Sequence, residues 1–301
     1  MTRLLRIAPL LLAAASAFAQ QDEPATTLHV DVKLVHVFVN VTDKNGALVG
    51  GLNREDFAIV EDNRPQTIAI FERQSELPLN ITLAIDTSGS VRKDSAEEIG
   101  AARTFVRSIL RPQDQMSLID FATTVRETVP FTSKPALIAR GLDRLRYDPA
   151  TALYDAIEFG ARSLAGKQGR KVLVLVSDGG DTASSSTYAD ALEQALRGEV
   201  MIYSIIDVPI AASAGRDTGG EHALITLAEQ TGGKSFYVEA GGLDKAFARV
   251  SDDLRTQYFL GYYPHNQVKG VDFHHIHVTI PRAAPGDFQV THRTGYFVDQ
   301  P

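Results

Sequence analysis

Asp86, Ser88 and Ser90 stand at alternate positions in "NITLAIDTSGSVRKD", residues 80–94, where an apolar run gives way to a polar loop. Two further oxygen donors occupy similar places. Asp178 closes the apolar run "KVLVLVSD" ahead of a Gly-Gly turn, and Thr151 precedes the helical pattern "ALYDAIEF" as an N-cap residue would. Carboxylates and hydroxyls of this kind suit a hard cation. Mg²⁺ prefers six oxygens in octahedral array and commonly keeps several waters. Three neutral hydroxyls can bind it directly, while two carboxylates supply a charge of −2, directly or through water. With few carboxylates bound directly the ion stays electrophilic, and an open position can accept a carboxylate from a partner.

Other chemistries fit less well. An aspartic protease carries D-[ST]-G after an apolar strand, but Asp86-Thr87 is followed by Ser88, and no second copy supplies the aspartate that would share a proton. A serine hydrolase would need a G-x-S-x-G elbow, which is missing, and His222 is the only histidine between residues 37 and 264. Ser88 and Ser90 alone could be turn residues bonded to local backbone. Asp181 in "SDGGD" is an alternative to Asp178, but its position after two glycines reads as a solvated loop carboxylate. In "DFHHIHVTI", His275 and His277 share a strand face and could chelate a transition metal. No third ligand at fixed spacing is visible, so a solvent-facing strand is the reading.

The elements that must position the donors follow from hydrophobic rhythm. "NITLAID" (80–86), "MSLIDFA" (116–122), "KVLVLVSD" (171–178) and "VMIYSIID" (200–207) are near-continuous apolar runs, as in strands buried on both faces. Helical patterns at 94–110, 135–146, 152–165, 187–198 and 219–231 lie between or after them, and "GLDKAFARVSDDLRTQ" supplies a last helix. Ala102, Phe105, Val106, Ile109 and Leu110 share one face of the first helix, and Ala152, Ala156, Phe159 and Leu164 do much the same later. The expected fold is α/β: a doubly wound, mostly parallel sheet with helices on both faces. In such sheets ligands bind outside the carboxyl ends of the strands, where Asp86 and Asp178 fall. Residues 27–76 alternate apolar and polar around the turns Asn45-Gly46 and Asp62-Asn63, which predicts a small antiparallel β unit. The tail, 256–301, reads as three strands packing beside that unit, since neither alone has much core.

The donor set resembles the metal-ion-dependent adhesion site (MIDAS) of von Willebrand factor type A domains. Its D-x-S-x-S element is matched by Asp86, Ser88 and Ser90, its loop threonine by Thr151 in "PATALYDAI", and its later aspartate by Asp178 in "VLVLVSDGGD". The resemblance covers residues 77–255. It implies that Ser88, Ser90 and Thr151 coordinate through hydroxyls, and that Asp86 and Asp178 act mostly through bridging waters. The implied ion is a divalent cation, Mg²⁺ first, with Mn²⁺ or Ca²⁺ as alternatives. "FAIVEDN", "YFLGYYP" and "HRTGYF" further resemble exported bacterial von Willebrand A-related proteins of the Acidobacteria type. The loop "YDPA" before Thr151 departs from the glycine pair common in the family.

The rest of the composition sets limits. A formal charge of −7 argues against nucleic-acid or anionic-membrane binding. Arg3 and Arg6, the apolar "IAPLLLAAASAF" and Ala17-Phe18-Ala19 form the pattern of a signal peptide over 1–19 with cleavage near Ala19, and no later stretch has the length of a transmembrane helix. Its removal would shift the charge to −9. The expected location is periplasmic or secreted. The chain has no cysteine, so neither disulfides nor thiolate sites are open to it. The expectation is an exported, non-enzymatic binding module, with a bound divalent cation completed by an Asp or Glu of a partner. The alternative is a structural module of the cell envelope in which the metal only stabilises the fold.

Overall fold

A computed structural model describes residues 34–73, 76–89, 95–208, 218–238, 242–265 and 272–298. The signal-peptide pattern over 1–19 and Ser90 lie outside these residues. Among the described residues no helix is long and apolar enough to cross a membrane.

The four apolar runs form the centre of a six-stranded sheet. These are β5 (Leu79–Asp86), β6 (Gln115–Phe121), β8 (Arg170–Ser177) and β9 (Val200–Ile206). Two elements not foreseen complete it: β7 (Val125–Thr132) on one edge and β10 (Ser235–Tyr237) on the other. The order is β10-β9-β8-β5-β6-β7, parallel except for β7 against β6. No continuous apolar run marks β7, because its side chains are only half covered.

Side chains alternate between the faces of each central strand, which is why continuous apolar runs were needed. Leu83, Val174 and Tyr203 enter one core with Phe105 and Phe247, whose rings stack at 4.7 Å. Ala84, Leu173 and Ile202 enter the other, with Ile157 and Leu224. Helices α1 (Ser95–Ile109), α2 (Pro135–Gly141) and α6 (Gly242–Thr256) thus cover one face; α3 (Leu153–Ala165), α4 (Tyr188–Arg197) and α5 (Thr218–Thr231) cover the other. The buried stripe of α3 runs through Leu153, Ala156, Ile157, Gly160 and Leu164, and Phe159 is 38% exposed rather than inward as its spacing suggested.

The N- and C-terminal strands build two more sheets. The first has the order β13-β1-β11-β4 and the second β14-β12-β2-β3. Here β1 is Val35–Asp43, β2 Ala58–Glu61, β3 Arg64–Gln66, β4 Ile68–Glu72, β11 Tyr258–Tyr262, β12 Phe273–Thr279, β13 Phe288–Thr291 and β14 Gly295–Phe297. Residues 27–76 are therefore not a self-contained unit within the part described. The return arm of the Asn45-Gly46 turn makes only an isolated bridge, Thr42 to Leu48, because β11 and β13 already occupy the two edges of β1. The tail contributes four strands instead of three. Its last run breaks at residues 292–294, where the chain crosses from β1 in one sheet to β12 in the other. At that break the His292 ring accepts the Val278 N–H at 3.0 Å in place of a ladder bond.

Polar clamps tie the β sheets to the central sheet. Asp253 of α6 accepts from Asn40 of β1 at 2.6 Å, from Tyr203 of β9 at 3.0 Å and from Lys234 at 2.6 Å. Glu199, before β9, faces His36 of β1, Arg293 and Lys171. Burial pushes Glu199 up, but the nearby His36 ring and the charges of Arg293 and Lys171 outweigh it and hold its carboxyl at about 2 against an ordinary 4.5. A depressed carboxylate stabilises the fold above its unfolded pKa and loses that contribution as pH falls toward the folded value. Glu199→Gln should therefore cost roughly 2–3 kcal/mol at pH 7, with the gap from wild type closing between pH about 4.5 and 2. Urea unfolding across that range measures it; a gap independent of pH would contradict the clamp.

Candidate functional site

Chain direction across the sheet reverses at β5: β6 and β7 follow on one side, β8, β9 and β10 on the other. Such a switch point opens a crevice at the strand ends. Asp86 is the last residue of β5 and is fully buried. One carboxylate oxygen accepts the Ser88 N–H at 2.8 Å, which bends the chain into an Asx turn. The other accepts the Ser177 hydroxyl at 2.6 Å, from the last residue of β8. Burial pushes Asp86 up to about 6, against the lowering effect of the Ser177 and Ser88 bonds, and the charge of Asp178 raises it further.

Neighbouring loops are stitched to this turn. Thr87 donates its N–H and hydroxyl to the Phe121 carbonyl at 2.8 and 3.1 Å, which holds the turn against the end of β6. Its carbonyl accepts the Asp148 N–H at 3.1 Å. A Cβ on Gly89 would lie 3.6 Å from the Pro149 carbonyl oxygen, so the "YDPA" segment sits directly over the turn. Two residues further, the Ala152 N–H donates to the Ala122 carbonyl at 2.7 Å.

Thr151 is buried, and both its backbone groups are used. Its N–H donates to the Thr182 hydroxyl at 3.0 Å, and its carbonyl accepts from the N–H groups of Thr182 and Ala183. No hydrogen bond of its hydroxyl is seen among the described residues. Asp178 follows β8, half-buried, with one oxygen accepting the Gly180 N–H at 3.2 Å. The structure thus brings the segments bearing Asp86, Ser88, Thr151 and Asp178 to one rim through direct bonds between them. Hydroxyl and carboxylate oxygens from these segments suit a hard divalent ion better than a thiophilic one.

Two expectations are corrected. Thr151 is not the N-cap of α3: that position is Ala152, which offers no side-chain bond. Asp181 supplies the cap from the loop after β8, accepting the Leu153 N–H at 2.8 Å and the Ser184 hydroxyl at 2.5 Å. It is therefore a half-buried bridging carboxylate, not a solvated one, and its work at the helix start leaves Asp178 as the nearer candidate for an ion. Ser184 also accepts the Asp155 N–H, while Thr187 caps α4 in a box with Asp190. Ser177 and Thr182, the residues that anchor Asp86 and Thr151, were not singled out from sequence. Hydroxyls flanking "DGGD" were the available signal. The strand residues His275 and His277 are exposed, as expected of a solvent-facing strand.

Gly179 fixes the loop's path. Its φ is +95°, and a Cβ there would fall 2.7 Å from the Gly220 carbonyl carbon and 2.8 Å from the Glu221 nitrogen in the first turn of α5. Gly179→Ala is expected to cost roughly 2 kcal/mol or more through the strained backbone and the backbone clash. The midpoint of denaturant unfolding reads this out; an unchanged midpoint would show that the loop does not need this path.

Residues 81–180, about a third of the chain, match the family model of the von Willebrand factor type A domain. No curated protein matches the sequence. Among solved structures, proximal thread matrix protein 1 from the mussel byssus, with a zinc-occupied MIDAS motif, superposes with TM-score 0.51 and 17% identity, over 66% of this chain and 50% of that one. BatB from Bacteroides thetaiotaomicron gives 0.48 and 18%, over 58% and 97%. The von Willebrand domain of the pili tip protein Mfa5 from Porphyromonas gingivalis gives 0.46 and 12%, over 58% and 94%. The mussel protein's likeness and the match over residues 81–180 agree: the central fold is that of a von Willebrand type A domain.

Proposed function

We propose that this chain is an exported, non-enzymatic binding protein whose rim holds a divalent cation, completed by a carboxylate of a protein or other ligand. Ser88, Ser90 and Thr151 would supply hydroxyl oxygens, while Asp86 and Asp178 would provide negative charge, directly or through water. The observation that carries the reading is the bonding of the Thr151 loop both to the Asp86 turn and to the loop after Asp178, which brings three donor-bearing segments to one rim. Zinc in the mussel protein's motif supports a divalent ion at a rim of this kind. Mg²⁺ is the preferred ion because the donors are all oxygen, with Mn²⁺ or Ca²⁺ as alternatives. When bound, the ion supplies Lewis acidity toward an incoming carboxylate; the chain's own residues position it and exclude bulk water. Export rests on the signal-peptide pattern over 1–19.

Calorimetric titration of the purified chain with Mg²⁺ and Mn²⁺ tests the site. Ser90→Ala and Thr151→Val should each weaken binding about tenfold or more while leaving the far-UV circular dichroism intact. Affinities equal to wild type in both variants would refute the ligand set. In a pull-down from envelope extract, chelator should abolish partner capture while the fold persists. Capture that survives chelation, with earlier melting, would favour a purely structural metal.

A further inference from the structure

A second polar cluster lies in the β sheets, away from the rim. Glu61 ends β2, Asp62 follows in the turn to β3 with φ +47°, and His274 lies opposite on β12. Glu61 and His274 are each only 2% exposed, and the Asp62 side chain 18%. One Glu61 oxygen accepts two phenol hydroxyls, from Tyr262 of β11 at 2.6 Å and from Tyr296 of β14 at 3.0 Å. Its other oxygen stands 3.9 Å from His274 Nδ1, beyond hydrogen-bond reach, and accepts no hydrogen bond among the described residues. On the other side the same nitrogen lies 2.6 Å from an Asp62 oxygen. The remaining Asp62 oxygen accepts the His275 N–H at 2.9 Å.

A bonded Asp62–His274 pair would explain two of the three residues. It leaves unexplained the second oxygen of Glu61, a residue only 2% exposed, which faces the imidazole at 3.9 Å without bonding it. A cation would satisfy it. The three donor atoms all lie within 4.8 Å of one another. Ligands held about 2.0–2.2 Å from a tetrahedral ion are roughly 3.3–3.6 Å apart. The observed 2.6 and 3.9 Å straddle that spacing, so shifts of about an ångström would seat one.

From this geometry we infer that Glu61, Asp62 and His274 form a binding site for a first-row transition ion of the Zn²⁺ class, distinct from the rim. One imidazole nitrogen with two carboxylate oxygens favours such an ion over Mg²⁺. The site has its outer hydrogen bonds already in place: Tyr262 and Tyr296 fix the Glu61 carboxylate, and the His275 N–H orients Asp62, as such partners commonly do for metal ligands. Asp62 is the most accessible of the three, so the ion would reach the site from the turn side. Because the Tyr262 bond joins β11 to β2, an ion on Glu61 would brace one four-stranded sheet against the other.

Equilibrium dialysis of the full chain against Zn²⁺, with Co²⁺ absorption spectra as a second readout, tests the assignment. Asp62→Asn keeps a residue type that tolerates positive φ and should lose one equivalent of Zn²⁺, or weaken it roughly 100-fold, along with the matching Co²⁺ bands. His274→Gln should do the same, and Asp62→Asn suffices if that variant does not fold. His277→Gln, on the exposed face, should change nothing. Thr151→Val at the rim should leave this equivalent intact, so failure here and failure of the rim proposal are told apart. Wild-type stoichiometry and spectrum in folded Asp62→Asn, or no Zn²⁺ bound by wild type at millimolar metal, would overturn the inference.

Discussion

The geometry of the rim depends on one buried carboxylate. Asp86 terminates the central strand of the sheet, and its two oxygens divide between the turn that follows and the last residue of the neighbouring strand. A carboxylate stripped of water is costly unless its oxygens are bonded. The bonds to Ser88 and Ser177 meet that requirement, and in doing so they set the spacing between the ends of β5 and β8. From that fixed pair the other loops are hung. Asp148 and Pro149 lie on the Asp86 turn, Thr182 holds Thr151, and Asp181 caps α3. Negative charge concentrated in a dry crevice also explains why Asp86 is pushed upward by burial and, further, by Asp178. A divalent cation at this rim would relieve both carboxylates together.

The two β sheets are joined to the opposite end of the central fold. Arg170, the first residue of β8, donates to the carbonyls of Leu77 and Leu254, beside the points where the chain enters β5 and leaves α6. Asp253 and Glu199 add clamps that gather β1, β9 and the β13–β14 connection. Strand starts are thus tied to the accessory sheets while strand ends remain for the rim. This division lets the loops of the rim be shaped by bonds among themselves, with the accessory sheets acting as a base.

Much of this was legible in the residues because it rests on local pattern. Strands buried on both faces must be apolar without interruption, and β5, β6, β8 and β9 announced themselves in that way. Donors at strand ends could be placed as soon as the strands were. What depended on distant partners was hidden. The edge strand β7 has only half-covered side chains, so no run marks it. The Asn45-Gly46 turn reads as a hairpin, but strands more than 200 residues later take both edges of β1. Asp181 looked like loop polarity until α3 was found lying across it. Glu61, Asp62 and His274 are joined by strand pairing across more than 200 positions, a spacing no motif encodes.

The central claim is that hydroxyls from separate segments and two strand-end carboxylates surround one divalent ion. Anomalous diffraction from crystals of the full chain grown with Mn²⁺ addresses it most directly. The account predicts a Mn²⁺ peak at the rim within about 2.3 Å of the Ser88, Ser90 and Thr151 hydroxyl oxygens. A fully occupied peak elsewhere with none at the rim, or a Thr151 hydroxyl beyond coordination distance of the rim ion, would contradict it.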